Sequence, residues 1–406
     1  MKLLVISQYY YPEQFRINDI CEEWVKRGYA VTVLTGIPNY PEGKFYKGYN
    51  FFKKRKEIIN GVEIIRIPII PRGKNSIMLL LNYISFVFSG FFFSKFTRRK
   101  FDKVFTYEVS PITQALPAIW YAKRKKIESI LYVMDLWPES IELATGKKNE
   151  KLFNIIDKLV NYIYKNTDKI LTSSESFRKD IIEKGYDANK VEFWPQYAET
   201  FYSSKDNKPT EIKKDDNFKI IFTGNIGQAQ GLDILVGTAK ILKEKNEKVI
   251  FYIVGNGRAK EELKGKIKEN NVENIIKLID QKPAEEIPSY ISECDSTFIS
   301  LKSNNISEKI LPAKIQSYLA CGKPIIGCAK GEIEKVINDS KSGICCIEES
   351  EQRLAETIIE MKNKTKEELE QYGKNAKQYY EKNYEKNYLL NKIDKIFKNE
   401  EETKNV

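Results

Sequence analysis

Short apolar runs of strand length alternate along this chain with segments whose apolar positions recur every three or four residues. In the first half, the runs at 2–7, 30–35, 62–67, 103–107, 129–134 and 169–173 read as strands, and the segments at 18–27 and 111–125 as helices. The pattern then restarts. Strands at 218–223, 249–254, 275–278, 296–300 and 324–328 are interleaved with helices at 232–243, 260–270 and 313–320 and with a further segment at 283–292. Alternation of this kind builds parallel sheets with helices on both faces and right-handed connections. The expected fold class is therefore α/β, with two Rossmann-like, doubly wound domains.

The polar stretch 202–217 has no apolar period and marks the boundary. It sets an N-terminal domain at 1–202 and a C-terminal domain at 203–375. Residues 376–406 should form a charged C-terminal helix, whose Tyr379, Tyr380, Tyr384 and Tyr388 give it an apolar side expected to pack back on the first domain. The last residues, 399–406, are expected to fray.

One segment breaks the pattern. Residues 76–94 are nearly uncharged and close to spanning length, but Asn82, Ser85, Ser89 and Gly90 interrupt them, and Lys95, Arg98, Arg99, Lys100 and Lys103 follow. The membrane-proximal segment 76–103 reads as a helix buried between sheet and partner, as a surface-lying anchor with a basic collar, or as a span.

Composition narrows the chemistry. At 406 residues two domains are the default, and a formal charge of +11 suits a phosphate-bearing ligand, an anionic membrane or a nucleic acid. Many lysines alternate with glutamates as on solvated helix faces, and no aromatic-interleaved basic motif argues for nucleic acid. The six cysteines form no C-x-x-C pair and no histidine is present, so a zinc set is not expected and the thiols read as reduced and cytosolic. The N-terminus, MKLLVISQYYYPE, reads as a buried first strand and not as a signal peptide.

The lack of histidine also excludes Ser-His-Asp and Cys-His catalysis. Carboxylates, lysines or a substrate that handles its own proton remain. No D-x-D arrangement offers a grip for a metal-bound diphosphate, so metal independence and no cofactor are expected.

Two segments look like parts of a single anion site. In a parallel sheet, strand-to-helix turns gather at one edge, where helix N-termini attract anions. The turn with Gly224 and Gly227, and the segment 312–324 that carries Lys314 near a helix start, are placed to meet there. Lys314 and the backbone N–H groups around 224–227 and 315–317 are the candidate donors to a diphosphate. In the first domain Asp135 follows a strand, with Trp137, Pro138 and Glu139 behind it. Asp135 could orient a hydroxyl or cap the next helix, and Asp19 could equally be a cap. Arg16 and Asn18 lie beside Asp19 at the first strand-to-helix turn, and Glu108 and Ser110 follow another strand.

Together SQYYYPEQFRINDI at 7–20, GIPNYPEGKFYKGYN at 36–50, MDLWPES at 134–140, FTGNIGQAQGLDIL at 222–235 and PAKIQSYLACGKPII at 312–326 amount to a resemblance. The chain resembles family-4 glycosyltransferases of the GT-B fold, and more narrowly the bacterial O-antigen and capsule enzymes that move N-acetyl-L-fucosamine. The resemblance implies a UDP-linked sugar donor held by the C-terminal domain, an acceptor held by the N-terminal domain and chemistry in a cleft. Retaining transfer, usual in the family, lets the departing phosphate take the acceptor's proton. The implied acceptor is a lipid-linked saccharide, and the implied location is cytoplasmic, peripheral on the inner membrane.

The candidate donor contacts are Gly224, Asn225, Gly227, Gly255, Arg258, Lys314, Gln316 and Ser317, with Lys309 or Glu308 also reaching the donor. The strand-end positions make Arg16, Asn18, Asp19 and Glu108 candidate acceptor contacts, and Asp135 and Glu139 candidate catalytic residues. Departures from the family pattern are clear. Asn225 and Gln230 stand where many members carry Arg and Lys, and the Glu-x7-Glu pair reads Lys309 and Ser317, with Glu308 one residue out of register. Lys314 and Arg258 are expected to restore part of that charge. Other readings are a sugar-nucleotide 2-epimerase of similar architecture, which usually relies on cleft histidines, and a membrane-docked sugar-nucleotide binder without catalysis.

Overall fold

The computed structural model describes residues 1–141, 150–203 and 209–400. They divide into two compact units, Met1–Trp194 and Pro195–Val406. The division falls just ahead of the polar stretch 202–217, of which 204–208 lie outside the described residues, as do 401–406 of the tail.

The first unit is built on eight strands: β1 Lys2–Ile6, β2 Ala30–Gly36, β3 Lys56–Ile59, β4 Val62–Ile67, β5 Lys103–Glu108, β6 Glu128–Val133, β7 Lys169–Thr172 and β8 Val191–Phe193. Their order is β3-β4-β2-β1-β5-β6-β7-β8, parallel except for β3 against β4. The exception has a local cause. Asn60 and Gly61 both take positive φ, 50° and 80°, as a two-residue hairpin turn requires. β1 runs buried between β2 and β5, so the chain reverses its winding there, and the loops that leave β1 and β5 meet at the carboxyl edge.

The second unit has six strands: β9 Phe218–Thr223, β10 Val249–Val254, β11 Ile276–Ile279, β12 Ser296–Ser300, β13 Ile325–Cys328 and β14 Gly343–Cys346. All are parallel, in the order β11-β10-β9-β12-β13-β14, with the reversal between β9 and β12. A core of Phe222, Leu235, Phe251, Phe298, Ile326 and Leu354, among others, fills the space between this sheet and its helices. The chain closes with helices Lys366–Asn383 and Lys386–Lys398; the first opens with a reciprocal cap between Thr365 and Glu368. Within this unit Tyr380 Oη donates to Ala198 O at 3.3 Å, and the Lys386 ammonium lies over the Tyr197 ring.

All six cysteines are free thiols, and four of them, Cys21, Cys294, Cys328 and Cys346, are buried. Burial pushes Cys294, Cys321, Cys328 and Cys345 up to about 12.

Residues 76–96 form one helix, Ser76–Phe96, capped by Asn75, whose side chain accepts from Met78 N. It is neither enclosed nor wholly exposed: Asn82, Phe86, Gly90 and Ser94 are buried while residues on the opposite face stay exposed.

Candidate functional site

In the second unit the turn after β9 is held on both sides. Gly224 N donates to Val254 O at 2.9 Å, Ile226 N to Asn256 O at 2.8 Å and Ala259 N to Ile226 O at 3.0 Å. The contact is backbone on backbone. A Cβ at Gly255 would lie 1.9 Å from Gly224 O, and one at Gly257 2.2 Å from Ile226 O. Gly224 itself has φ +123°, a conformation that side-chain-bearing residues avoid. On the far side Ser300 Oγ donates to Gln230 O at 2.6 Å and Lys302 N to Ala229 O at 2.9 Å. The loop 224–231 therefore bridges the carboxyl ends of β10 and β12, at the point where the sheet reverses.

The helix Ala313–Cys321 starts beside this loop. Its N-cap is Pro312, and no side chain caps its first turn, so those backbone N–H groups lack a side-chain acceptor. Tyr318, from the same helix, accepts from Thr223 N at 2.9 Å and fixes the helix to the end of β9. Half-buried Lys314 then reaches back over the loop. Its Nζ donates to Gln230 Oε1 at 3.0 Å and stands 3.7 Å from the centroid of the Phe222 ring. Among the described residues no carboxylate pairs with it. Burial pushes the ammonium down to about 7, because the charge has lost water without gaining an anion. An uncapped helix start, a glycine loop and an ammonium without an anionic partner form a receptor for a compact negative group.

The other residues expected at this site divide. Gly224, Gly227, Gly255 and Lys314 converge at the loop. Asn225 and Arg258 are exposed at the same edge, and Lys309 is half-buried. Gln316 is buried; with its amide oriented to satisfy its neighbours it donates to Pro312 O and Ala313 O, both at 3.0 Å. Ser317, also buried, hydrogen-bonds the Tyr202 phenol. Glu308 accepts from Ser303 Oγ.

In the first unit Asp135 follows β6 and reaches sideways to the loop after β5. Its Oδ2 accepts from Ser110 N at 2.8 Å and from Ser110 Oγ at 2.7 Å, while its own N–H donates to Glu108 Oε2 at 3.4 Å. The carboxylate thus ties two strand ends together instead of capping the turn that follows it. Glu108 is fully buried, and its second oxygen has no partner. Burial first, then the Asp135 charge, push the Glu108 carboxyl well above the usual carboxylate range. Glu139 accepts from Lys184 Nζ at 2.6 Å, and the buried Trp137 indole N–H is unpaired. Asn18 Nδ2 donates to Glu13 O at 2.8 Å; Arg16 and Asp19 begin the helix Arg16–Lys26.

Glu13 escaped the sequence reading. It is 2 % exposed, and its carboxylate accepts from Tyr10 N at 3.3 Å, Asn39 N at 2.7 Å and Tyr40 N at 2.6 Å, joining the loops after β1 and β2. Burial outweighs those three bonds and raises its carboxyl to about 7. The signal was present in the paired Tyr-Pro-Glu triplets at 11–13 and 40–42.

Comparison with known proteins agrees with this geometry. Residues 14–196 match the model of the glycosyl transferase 4-like domain, and residues 203–379 that of the glycosyl transferases group 1. The chain is 27 % identical over 339 residues to WcaI of Escherichia coli (strain K12), named for colanic acid biosynthesis, covering 79 % of this chain and 82 % of that protein. It is 23 % identical to the amylovoran biosynthesis glycosyltransferase AmsK of Erwinia amylovora over 49 % of this chain and 48 % of that one. Among solved structures, Anabaena HepE in complex with UDP has a TM-score of 0.70 at 13 % identity, over 98 % of this chain and 100 % of its own. Sucrose-phosphate synthase from Thermosynechococcus elongatus reaches a TM-score of 0.74 at 12 % identity, over 98 % of both chains.

Proposed function

Since each half matches a glycosyl transferase family model and the fold is GT-B, the chain is a glycosyltransferase, and we propose that it moves a sugar from a UDP-linked donor to a lipid-linked saccharide. The observation that carries this reading is Lys314, an ammonium without an anionic partner set against an uncapped helix start and the 224–231 loop. UDP as the leaving group is supported by the fold shared with HepE, whose structure holds UDP. Surface polysaccharide synthesis is supported by the names of WcaI and AmsK. N-acetyl-L-fucosamine as the sugar rests on the sequence resemblance.

In this mechanism the second unit binds the diphosphate through the Lys314 ammonium and the amides of Asn225, Gly227, Ala313 and Lys314, since those of Gly224, Ile226 and Ile315 donate to backbone carbonyls. As the anomeric C–O bond breaks, negative charge grows on the departing phosphate, where the ammonium and amides stabilise it. The acceptor oxygen bonds to the anomeric carbon on the face that the phosphate leaves and gives its proton to that phosphate oxygen, so the configuration is retained without a histidine base. Asp135, held by Ser110, orients the acceptor, and Glu139 supports that loop through Lys184. In this account Lys314 is the one full cation, the amides adding partial positive charge, and the transfer is taken to be metal-independent.

A panel of nucleotide sugars tests the reading. The expected result is a rise in melting temperature with one UDP-sugar and release of UDP only when a lipid-linked saccharide is added. Absence of any shift with UDP at millimolar concentration overturns it.

A further inference from the structure

The helix Ser76–Phe96 is apolar all round, yet only one face meets the rest of its unit. Phe86 enters the core beside Ile67 and Val104, and Gly90 lies against Pro117, where a Cβ would come within 2.4 Å of the ring. The polar residues that interrupt the run point the same way. Asn82 Oδ1 accepts from Gln8 Nε2 at 2.7 Å, Asn82 Nδ2 donates to Ile70 O at 2.6 Å and Ser94 Oγ donates to Pro117 O at 2.8 Å.

The opposite face is bare. Ile77 is 72 % exposed, Ile84 53 %, Phe88 64 % and Phe96 64 %, with Leu80 and Phe92 between them. Successive members are three or four residues apart, so they form a single stripe along a helix of 21 residues, about 32 Å long. A stripe of that size is rare on a monomer surface without a partner.

Along the chain, the charge flanking this helix has one sign. Residues 64–101 contain neither Asp nor Glu. Lys95, Arg98 and Lys100 are exposed at the C-terminal end of the stripe. Arg124 continues the patch, its Nη2 donating to Thr97 O at 2.7 Å. Arg99 does not belong to it, since its guanidinium is bound by Glu63.

We propose that this face lies in the plane of an anionic lipid bilayer, with Ile84, Phe88 and Phe92 in the acyl boundary and Lys95, Arg98 and Lys100 on the headgroups. A span is disfavoured because it would strip Asn82 and Ser94 of the bonds that seat the helix in its fold. A second copy is disfavoured because parallel docking would bring two cationic collars together, and antiparallel docking would set each collar against a segment, 64–101, that has no Asp or Glu. Asn82, on the same helix, is bonded by Gln8, which lies just past the carboxyl end of β1. The bilayer would therefore run beside the carboxyl edge of the first unit, a corollary that rests on the lipid-linked acceptor proposed above. Docking itself does not.

Flotation of the full chain with phosphatidylglycerol/phosphatidylethanolamine vesicles, against phosphatidylcholine alone, tests the idea. Expected are co-flotation with the anionic vesicles only, loss in Phe88→Asp, and a roughly thirtyfold drop in partitioning for Arg98→Ala with Lys100→Ala, the melting temperatures being kept. Absence of flotation in the native chain, or equal flotation of Phe88→Asp, overturns it. So does a lipid-free dimer that Phe88→Asp dissolves, which identifies a second copy, or a chain released from cell membranes by detergent but not by alkaline carbonate, which identifies a span. UDP release with a soluble acceptor is read on the same samples: if it persists while flotation fails, docking alone is lost.

Discussion

Lys314 Nζ donates to Gln230 Oε1 across 3.0 Å, so the ammonium is received by the side chain that stands where the resemblance implies a lysine. A lysine at 230 would repel Lys314. An amide holds it through an uncharged acceptor, which a phosphate oxygen displaces readily because its full negative charge adds ion-pair attraction to the hydrogen bond.

The pH dependence of donor binding follows from that arrangement. The free ammonium titrates near about 7, and a bound diphosphate raises its affinity for the proton. UDP affinity should therefore fall as pH rises above about 7, with uptake of up to one proton at pH 8. Calorimetry in two buffers of different ionisation enthalpy reads this directly. Lys314→Ala should lose about 10- to 100-fold in affinity and show no pH slope. Native-like affinity in that variant would remove Lys314 from the site.

Gly255→Ala should damage the same site from the side of β10. The new methyl meets Gly224 O at 1.9 Å, and both partners are backbone that cannot swing away. We expect a loss of about 1–3 kcal/mol in denaturant unfolding of the second unit and weaker UDP binding. Full affinity together with full stability would mean that the loop relaxes freely.

Glu108 makes a prediction of opposite sign. Its carboxyl titrates well above the ordinary 4.5 in the native state, so once the pH passes that value the unfolded chain has shed a proton that the folded chain retains. Stability contributed by this group is complete below about 4.5 and is lost as the pH climbs towards the native pKa. Glu108→Gln cannot ionise; it should flatten the decline and raise the melting point at pH 7 by about 2–4 °C for each kcal/mol recovered. A lower melting point would show that the charged form is the stabilising one.

Asp135→Asn should keep the fold and reduce kcat by about 10²- to 10⁴-fold. Ser110→Ala, which removes one of the two bonds to Asp135 and leaves the amide, should cost about tenfold in kcat with little change in donor affinity. An effect confined to donor KM would place Asp135 on the wrong substrate.

Much of this fold could be read from the chain because parallel strands buried on both faces are runs of Val, Ile, Leu and Phe: 62–67, 218–223, 249–254 and 296–300 were delimited to the residue. The strands that escaped were short or at a sheet edge, and the helices Glu150–Lys165, Glu175–Glu183, Glu332–Ser340 and Glu351–Lys362 were not read either. β3, KEII, alternates charge with apolar side chains and depends on the Asn60-Gly61 turn, while β8 and β14 have three and four residues. Lys314 was found because a Pro-preceded helix start has a sequence signature. The lateral reach of Asp135 depends on Ser110, 25 residues away along the chain, whereas Gln316 turns back on its own helix start at Pro312 and Ala313. The anchor-like helix was visible as an apolar run, but which of its faces was covered depended on where Gln8 and Pro117 lie.

The burial of the thiols has a practical consequence. With Cys294, Cys321, Cys328 and Cys345 held up at about 12, these four remain almost wholly un-ionised in a neutral buffer, where maleimides react with thiolate. Cys21 and Cys346 lie beneath the surface. A reporter thiol introduced at an exposed position such as Phe88 or Ile77 can thus carry a fluorophore or spin label in the otherwise native chain, with no need for a cysteine-free background.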